Sequence, residues 1–159
     1  MSFENQEAIP IRESIEVSVL VERLKERMDI DLAPCAASKF AHKKSVTEAD
    51  LHRPGLALAG YTDLFTYQRI QIIGNTECNY LNHLPIQKRK ETFEKLTSYE
   101  LPVIFLTNNN KLDDSLVKIT ESRKIPLYRT EMETTKFMYL LRDFLEDFFA
   151  VQTMLHGTM

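Results

Sequence analysis

The chain has 159 residues, 43% of them hydrophobic and 27% charged, which is enough apolar material for one domain with a core of its own. Twenty basic against 23 acidic side chains leave a net charge of −3, and no basic stripe of the kind that tracks a phosphate backbone is evident, so nucleic acid is not an expected partner. No apolar run approaches the ~20 residues needed to cross a bilayer, and the opening MSFENQEAIPIRES has neither the charged nor the apolar region of a signal peptide, so a cytoplasmic protein without membrane contact is expected.

Residues 1–14 are polar and are expected to form a flexible segment. Ile15 to Val17 reads as a short strand. Ser18 then stands ahead of Val19, Leu20, Leu24 and Met28, with Glu22, Arg23, Lys25, Glu26 and Arg27 interleaved, which is helical spacing behind a capping serine. Ile30 to Ala33 is short, apolar and interrupted by Pro34, a strand or a turn into one. His42, Lys43 and Lys44 form a basic bend that could take an anion, although a solvated turn is the expected reading. Cys35 and Cys78 are lone thiols with neither CxxC spacing nor a histidine pair suited to zinc, so both are expected reduced, without a redox or metal role.

Residues 51 to 84 carry the most distinctive local text, LHRPGLALAGYTDLFTYQRIQIIGNTECNYLNHL. Pro54 sets φ for a helix start, and Leu56 to Ala59 make one apolar turn that Gly60 can end. Gly55, four residues, then Gly60 imitate the spacing of a phosphate loop, but Tyr61 stands where that loop carries lysine, and the residues between are apolar where backbone amides should wrap phosphate. Phosphate binding there is not expected.

Arg69 to Ile73 is β-branched and bounded by Gly74, a buried strand. A helix follows with Thr76 ahead of Glu77, Tyr80, Leu81 and Leu84. Pro85 opens another, in which Ile86, Phe93 and Leu96 face inward and Lys88, Arg89 and Lys90 face water. Leu101 to Thr107 is nearly continuous in apolar residues, as a central strand covered on both faces should be. Asn108, Asn109 and Asn110 then close it at the carboxyl edge, where α/β proteins tend to hold ligands and where asparagines also make ideal turns. Asp113 or Asp114 caps a helix containing Leu116, Val117 and Ile119, Lys124 ends it, and Ile125 to Tyr128 is a third strand.

From Thr134 the chain is strongly amphipathic. Phe137, Leu140, Leu141, Phe144, Leu145 and Phe148 recur at helical spacing, and Thr134 or Thr135 supplies an oxygen for the open amides of the first turn. Gln152 to Met159 reads as the start of a strand, an abrupt ending that suggests a cut at a domain boundary. Alternating strands and helices imply an α/β three-layer sandwich, a mainly parallel sheet with helices on both faces. Histidines 42, 52 and 83 have no nucleophile at a useful spacing, so a small hydrolase has no support in the sequence.

Arg53-Pro54-Gly55, Gly60, the Arg69-to-Gly74 strand with Thr76-Glu77, and Thr134-Thr135-x-Phe137, in that order, resemble the N-terminal domain of bacterial HPr kinase/phosphorylase from about Val17 onward. The resemblance implies a fold like that domain and like the N-terminal domain of some Mur ligases, over residues 15–151, with 152–159 opening a catalytic domain. It implies a hexameric parent that phosphorylates a serine of the phosphocarrier HPr with ATP or pyrophosphate and magnesium, and also removes that phosphate. The family's His-Gly pair just ahead of its phosphate loop matches His156-Gly157, which makes His156 the one active-site position carried over. The sequence ends before any phosphate loop, so this chain is expected to hold no cofactor and to be inactive alone, as a regulatory or assembly domain. A free-standing domain that binds a partner protein or a small ligand is the alternative.

Overall fold

A computed structural model describes residues 13–63 and 65–157, with the side chains of 151–157 outside the description. Most of the expected N-terminal segment, residues 1–12, lies outside the described residues. The elements run β1 (Ile15–Glu16), α1 (Val17–Arg27), β2 (Ala33–Ala36), a 3-10 segment (Ser38–Lys43), β3 (Ser45–Val46), β4 (Leu51–His52), α2 (Gly55–Leu58) and β5 (Ile70–Ile73). They continue with α3 (Asn75–His83), α4 (Ile86–Leu96), β6 (Ile104–Leu106), α5 (Asp114–Ser122), β7 (Leu127–Arg129) and α6 (Thr134–Gly157).

The main sheet has five strands in the order β2-β7-β6-β5-β4, and β1 pairs with β3 in a separate antiparallel ribbon. β4, β5, β6 and β7 are all parallel and are neighbours in sequence order, with β6 at the centre as its unbroken apolar run predicts. Crossovers of one hand that step steadily across a sheet leave their helices on one face. Accordingly α2, α3, α4 and α5 all pack against Ile73, Ile104, Leu106 and Leu127. The opposite face, built from Ile70, Ile72, Phe105 and Tyr128, is covered by α1 and α6. The result is the expected three-layer α/β sandwich.

Several local expectations change. Helix α1 begins at Val17, with Glu16 before it and no side-chain cap, so Ser18 lies inside the first turn. Val17 is fully buried and its amide donates to the Lys44 carbonyl at 2.9 Å, which ties the helix start to the ribbon. Pro34 does not interrupt a strand but sits within β2, antiparallel to β7 and bulged between Pro34 and Ala36. An edge strand tolerates the missing amide that a central one would not. Ile86, expected inward, is exposed, while Phe93 and Leu96 of the same helix are buried. The expected strand at Gln152 is instead a continuation of α6 to Gly157. Nothing between Thr134 and His156 breaks a helix, because the preceding proline is Pro126 and the preceding glycine Gly74.

In α6, Phe137, Leu141 and Leu145 are fully buried, and Leu140, Phe144 and Phe148 pack partly buried beside them. Phe137 meets Phe105 of the central strand edge-on, ring centroids 5.2 Å apart. Replacing Phe137 by alanine should therefore cost about 3–5 kcal/mol of stability, and Phe144→Ala clearly less, as read from urea unfolding midpoints.

Candidate functional site at the carboxyl edge of the sheet

The carboxyl ends of β4, β5 and β6 bring together residues far apart in sequence. Arg53 leaves β4, Gly74 leaves β5, and Thr107 leaves β6. Gly74 precedes α3, and three residues on, the Glu77 carboxylate folds back to accept the Gly74 amide at 2.9 Å. This is one half of a capping box, and it places acidic charge at the positive end of the helix. The same Oε1 accepts from Arg53 Nε at 3.2 Å and Nη2 at 2.7 Å. Glu77 is 3% exposed and Arg53 36%, so the carboxylate is the buried member of the pair.

Across the edge, the Thr107 and Thr134 hydroxyls are 2.6 Å apart, and Asn108 Nδ2 donates to Thr134 Oγ1 at 3.0 Å. Thr134, expected to cap α6, thus joins the helix start to the end of the central strand. A Cβ at Gly74 would lie 2.7 Å from Thr134 Oγ1 and 3.0 Å from Arg53 Nη2. Close approach therefore demands glycine here. Gly74→Ala should lower stability by about 1–3 kcal/mol, because Thr134 must give up its paired hydroxyl to make room. Urea unfolding measures the loss, and Thr134→Ala placed in the Gly74→Ala background should recover part of it.

Asn108 and Asn109 adopt left-handed backbone, φ 54° and 57°, which asparagine accepts more readily than other side chains. Their amides donate to the Met132 and Thr130 carbonyls, and Asn110 Nδ2 donates to Asn75 Oδ1 at 2.9 Å and the Thr107 carbonyl at 2.7 Å. The asparagines are thus a turn that laces the edge together.

The other sequence candidates fall elsewhere. Within Gly55–Gly60, the amides of Leu58, Ala59 and Gly60 donate to the carbonyls of Pro54, Gly55 and Ala57, so they are used inside the turn and not offered to phosphate. Gly60 ends that turn at φ 105°. His42 and Lys43 are exposed in the 3-10 segment, and Lys44 pairs with Glu100 at 3.2 Å. His83 Nδ1 meets the Asn79 carbonyl of its own helix at 2.7 Å. His156 lies in the last turn of α6, with its side chain outside the description. Cys35 and Cys78 are free thiols, and burial, with the Glu77 charge beside it, pushes Cys78 up to about 11. Among the described residues no group of three or more acidic, histidine or cysteine side chains could hold a metal ion, and no helix is long and apolar enough to cross a membrane.

Sequence reasoning missed two features of this edge. The buried Glu77 carboxylate, which Arg53 pairs with, was signalled by the Gly74-x-x-Glu77 capping spacing. His52, at the end of β4, has Nε2 buried without a hydrogen-bond partner, which costs about 1–3 kcal/mol, and no sequence pattern signals that. Burial, then the positive charge of Arg69, pulls the His52 imidazole below its ordinary value, partly offset by Glu77. Above about pH 6.5 both the folded and the unfolded chain carry His52 neutral, and below it the unfolded chain binds the proton first, so stability falls as pH falls. Between about pH 7.5 and 5.5 the urea midpoint should drop, and His52→Gln should drop less than the parent chain.

Some of the residues on which the sequence resemblance rests, Arg53, Gly74, Glu77 and Thr134, come together at this edge. Residues 15–145 match the family described as HPr Serine kinase N terminus. The chain belongs to this family. The HPr kinase/phosphorylase of Chloroherpeton thalassium is 48% identical over 148 residues, covering 93% of this chain and 43% of that protein. That of Prosthecochloris aestuarii is 44% identical over the same shares. The one from Chlorobium luteolum is 50% identical over 117 residues, 74% of this chain and 35% of the relative. The chain thus spans less than half the length of these relatives. Among solved structures, the CBS and DRTGG domains of the regulatory region of Clostridium perfringens pyrophosphatase, complexed with diadenosine tetraphosphate, superpose with a TM-score of 0.54. That match covers 89% of this chain and 54% of the other at 8% identity, a likeness of fold alone.

Proposed function

We propose that this chain is the N-terminal, regulatory or assembly part of an HPr kinase/phosphorylase. In this reading the full-length cytoplasmic protein is a hexamer that phosphorylates a serine of HPr with ATP or pyrophosphate and magnesium, removes that phosphate, and so regulates carbohydrate uptake through the phosphotransferase system. The observation that carries the reading is 48% identity over 93% of the chain to a protein of that name, of which the chain spans 43%. His156-Gly157 then occupies the position of the family's active-site histidine, at the far end of α6 from the Thr134 anchor.

Phosphoryl transfer is mostly positioning and charge neutralisation, which a nucleotide cradle and a metal ion supply. The described residues do not fit those groups. The glycine spacing nearest to a phosphate loop has its amides committed to a helical turn, and the buried carboxylate of Glu77 is already bound by Arg53 and Gly74. The chain's own contribution is therefore structural: α6 is held at its start by Thr134 and from Phe137 to Phe148 by the core, a mount for whatever adjoins it.

Two measurements test this. Incubated with radiolabelled ATP, magnesium and HPr, the chain should leave HPr unlabelled while the full-length Chloroherpeton thalassium relative labels it, and labelling by the chain alone would end the non-catalytic reading. An antibody against the chain should detect in its source cells a product more than twice its size. A product of the chain's own size would favour the free-standing alternative.

A further inference from the structure

A groove lies on the face covered by α1 and α6, and none of the residues lining it belongs to the Gly74 cluster. It runs between α1 and the outermost strand β2 with the 3-10 segment after it, and its volume is about 360 Å³. This is within the roughly 300–1,000 Å³ of small-molecule sites. Buried Val21, Leu32 and Ala41, with the exposed ring of Pro34, give it an apolar lining. Tyr128 of β7 lines it too, opposite Pro34 in the register of β2 and β7.

Tyr128 is 5% exposed, and its ring packs beside Phe105 with centroids 6.0 Å apart. Among the described residues its hydroxyl has no hydrogen-bond partner. The unpaired side-chain atoms that are sealed from water belong to His52, Thr66, Gln71 and Ser115, so the Tyr128 hydroxyl, unpaired but not sealed, opens to the groove that its residue lines. A tyrosine buried to this degree usually ends on a partner. Burial raises the phenol above its ordinary value, so the hydroxyl keeps its proton at neutral pH and can donate as well as accept. The rim is acidic. Glu22 and Glu26, one helical turn apart on α1, are exposed and in no ion pair among the described residues, and Lys25 is the one cation of the lining.

We propose that this groove binds a small amphipathic amine, with its apolar body among Val21, Leu32 and Pro34, a hydroxyl or carbonyl group on the Tyr128 hydroxyl, and its cationic nitrogen at Glu22 and Glu26. Burial of the body supplies most of the affinity, because exposed carboxylates contribute little each and serve to select the sign of the charge. An anionic analogue of the same shape meets like charge at the rim. This assignment rests on the groove alone and stands or falls independently of the kinase reading.

The test is NMR titration of the ¹⁵N-labelled full chain with tyramine, with phenethylamine, which lacks the phenol hydroxyl, and with 3-(4-hydroxyphenyl)propionate, which carries a carboxylate in place of the amine. Tyramine should shift amides within residues 18–26, 32–41 and 128 saturably, with a Kd of about 1 mM or tighter, and each of the other two should bind at least about threefold more weakly. Tyr128→Phe should bring tyramine down to the level of phenethylamine. It should also leave the urea midpoint no lower than the parent's, because the hydroxyl it removes has no partner in the protein. Glu22→Gln combined with Glu26→Gln should bring tyramine and the propionate to within about twofold of each other. The proposal is overturned if tyramine gives no saturable shifts in those segments, if either of the other compounds binds as tightly, or if Tyr128→Phe binds tyramine undiminished. A lowered urea midpoint in Tyr128→Phe overturns it as well, by assigning the hydroxyl to the protein's own packing.

Discussion

Every side chain of β5 and β6 is buried, from Ile70 to Ile73 and from Ile104 to Leu106, and the rest of the fold answers to that constraint. Two strands without a solvent face require a helical layer on each side. Because β4 to β7 follow one another across the sheet, every crossover helix is assigned to the same layer, and the other layer must be recruited from outside the crossovers. Helices α1 and α6, one preceding the parallel strands and one following them, fill that role. Each fully buried aliphatic or aromatic side chain contributes roughly 1.5–3 kcal/mol before conformational entropy is charged against it. The second core is thus as necessary as the first, although it is assembled from the two ends of the domain.

Much of this was legible in the sequence where one physical signal dominates. The β-branched run before Gly74, the apolar run from Leu101, and the helical recurrence from Phe137 to Phe148 each have one way to bury what they carry, and each formed the kind of element read, the apolar run as a strand over Ile104–Leu106 alone. Legibility failed where tertiary contacts outvote a local rule. Ser18 has the chemistry of a cap, but the ribbon's hydrogen bond to Val17 starts the helix sooner. Pro34 argues against a strand unless that strand is an edge, which the sequence alone does not disclose. Gln152 to His156 has too little pattern to separate a strand from a helix, and it simply prolongs α6.

The carboxyl-edge site divides in the same way. The asparagine turn and the glycine boundary were visible as local chemistry, and the resemblance singled out Arg53, Gly74, Glu77 and Thr134 without saying what they share. What they share is a place. Parallel strands end on the same side of a sheet, so residues after β4, β5 and β6 become neighbours regardless of their separation in the chain. Thr134 then accepts a role across the domain in preference to a local cap, since its hydroxyl meets Thr107 in the interior. The buried His52 nitrogen escaped notice for the opposite reason: an unpaired atom is defined by its surroundings and leaves no mark in the order of residues.

The two borders of the sheet carry a further implication for how copies of this domain can meet. On one side the outermost strand is four residues long and carries Pro34 and a bulge, and on the other it is two residues long. Neither border presents the continuous ladder of free donors and acceptors that lets sheets of separate molecules fuse into one. Copies of this domain are therefore poorly suited to joining by extension of the main sheet and would meet through side-chain contacts instead. Such contacts can be rearranged or released without unravelling any strand.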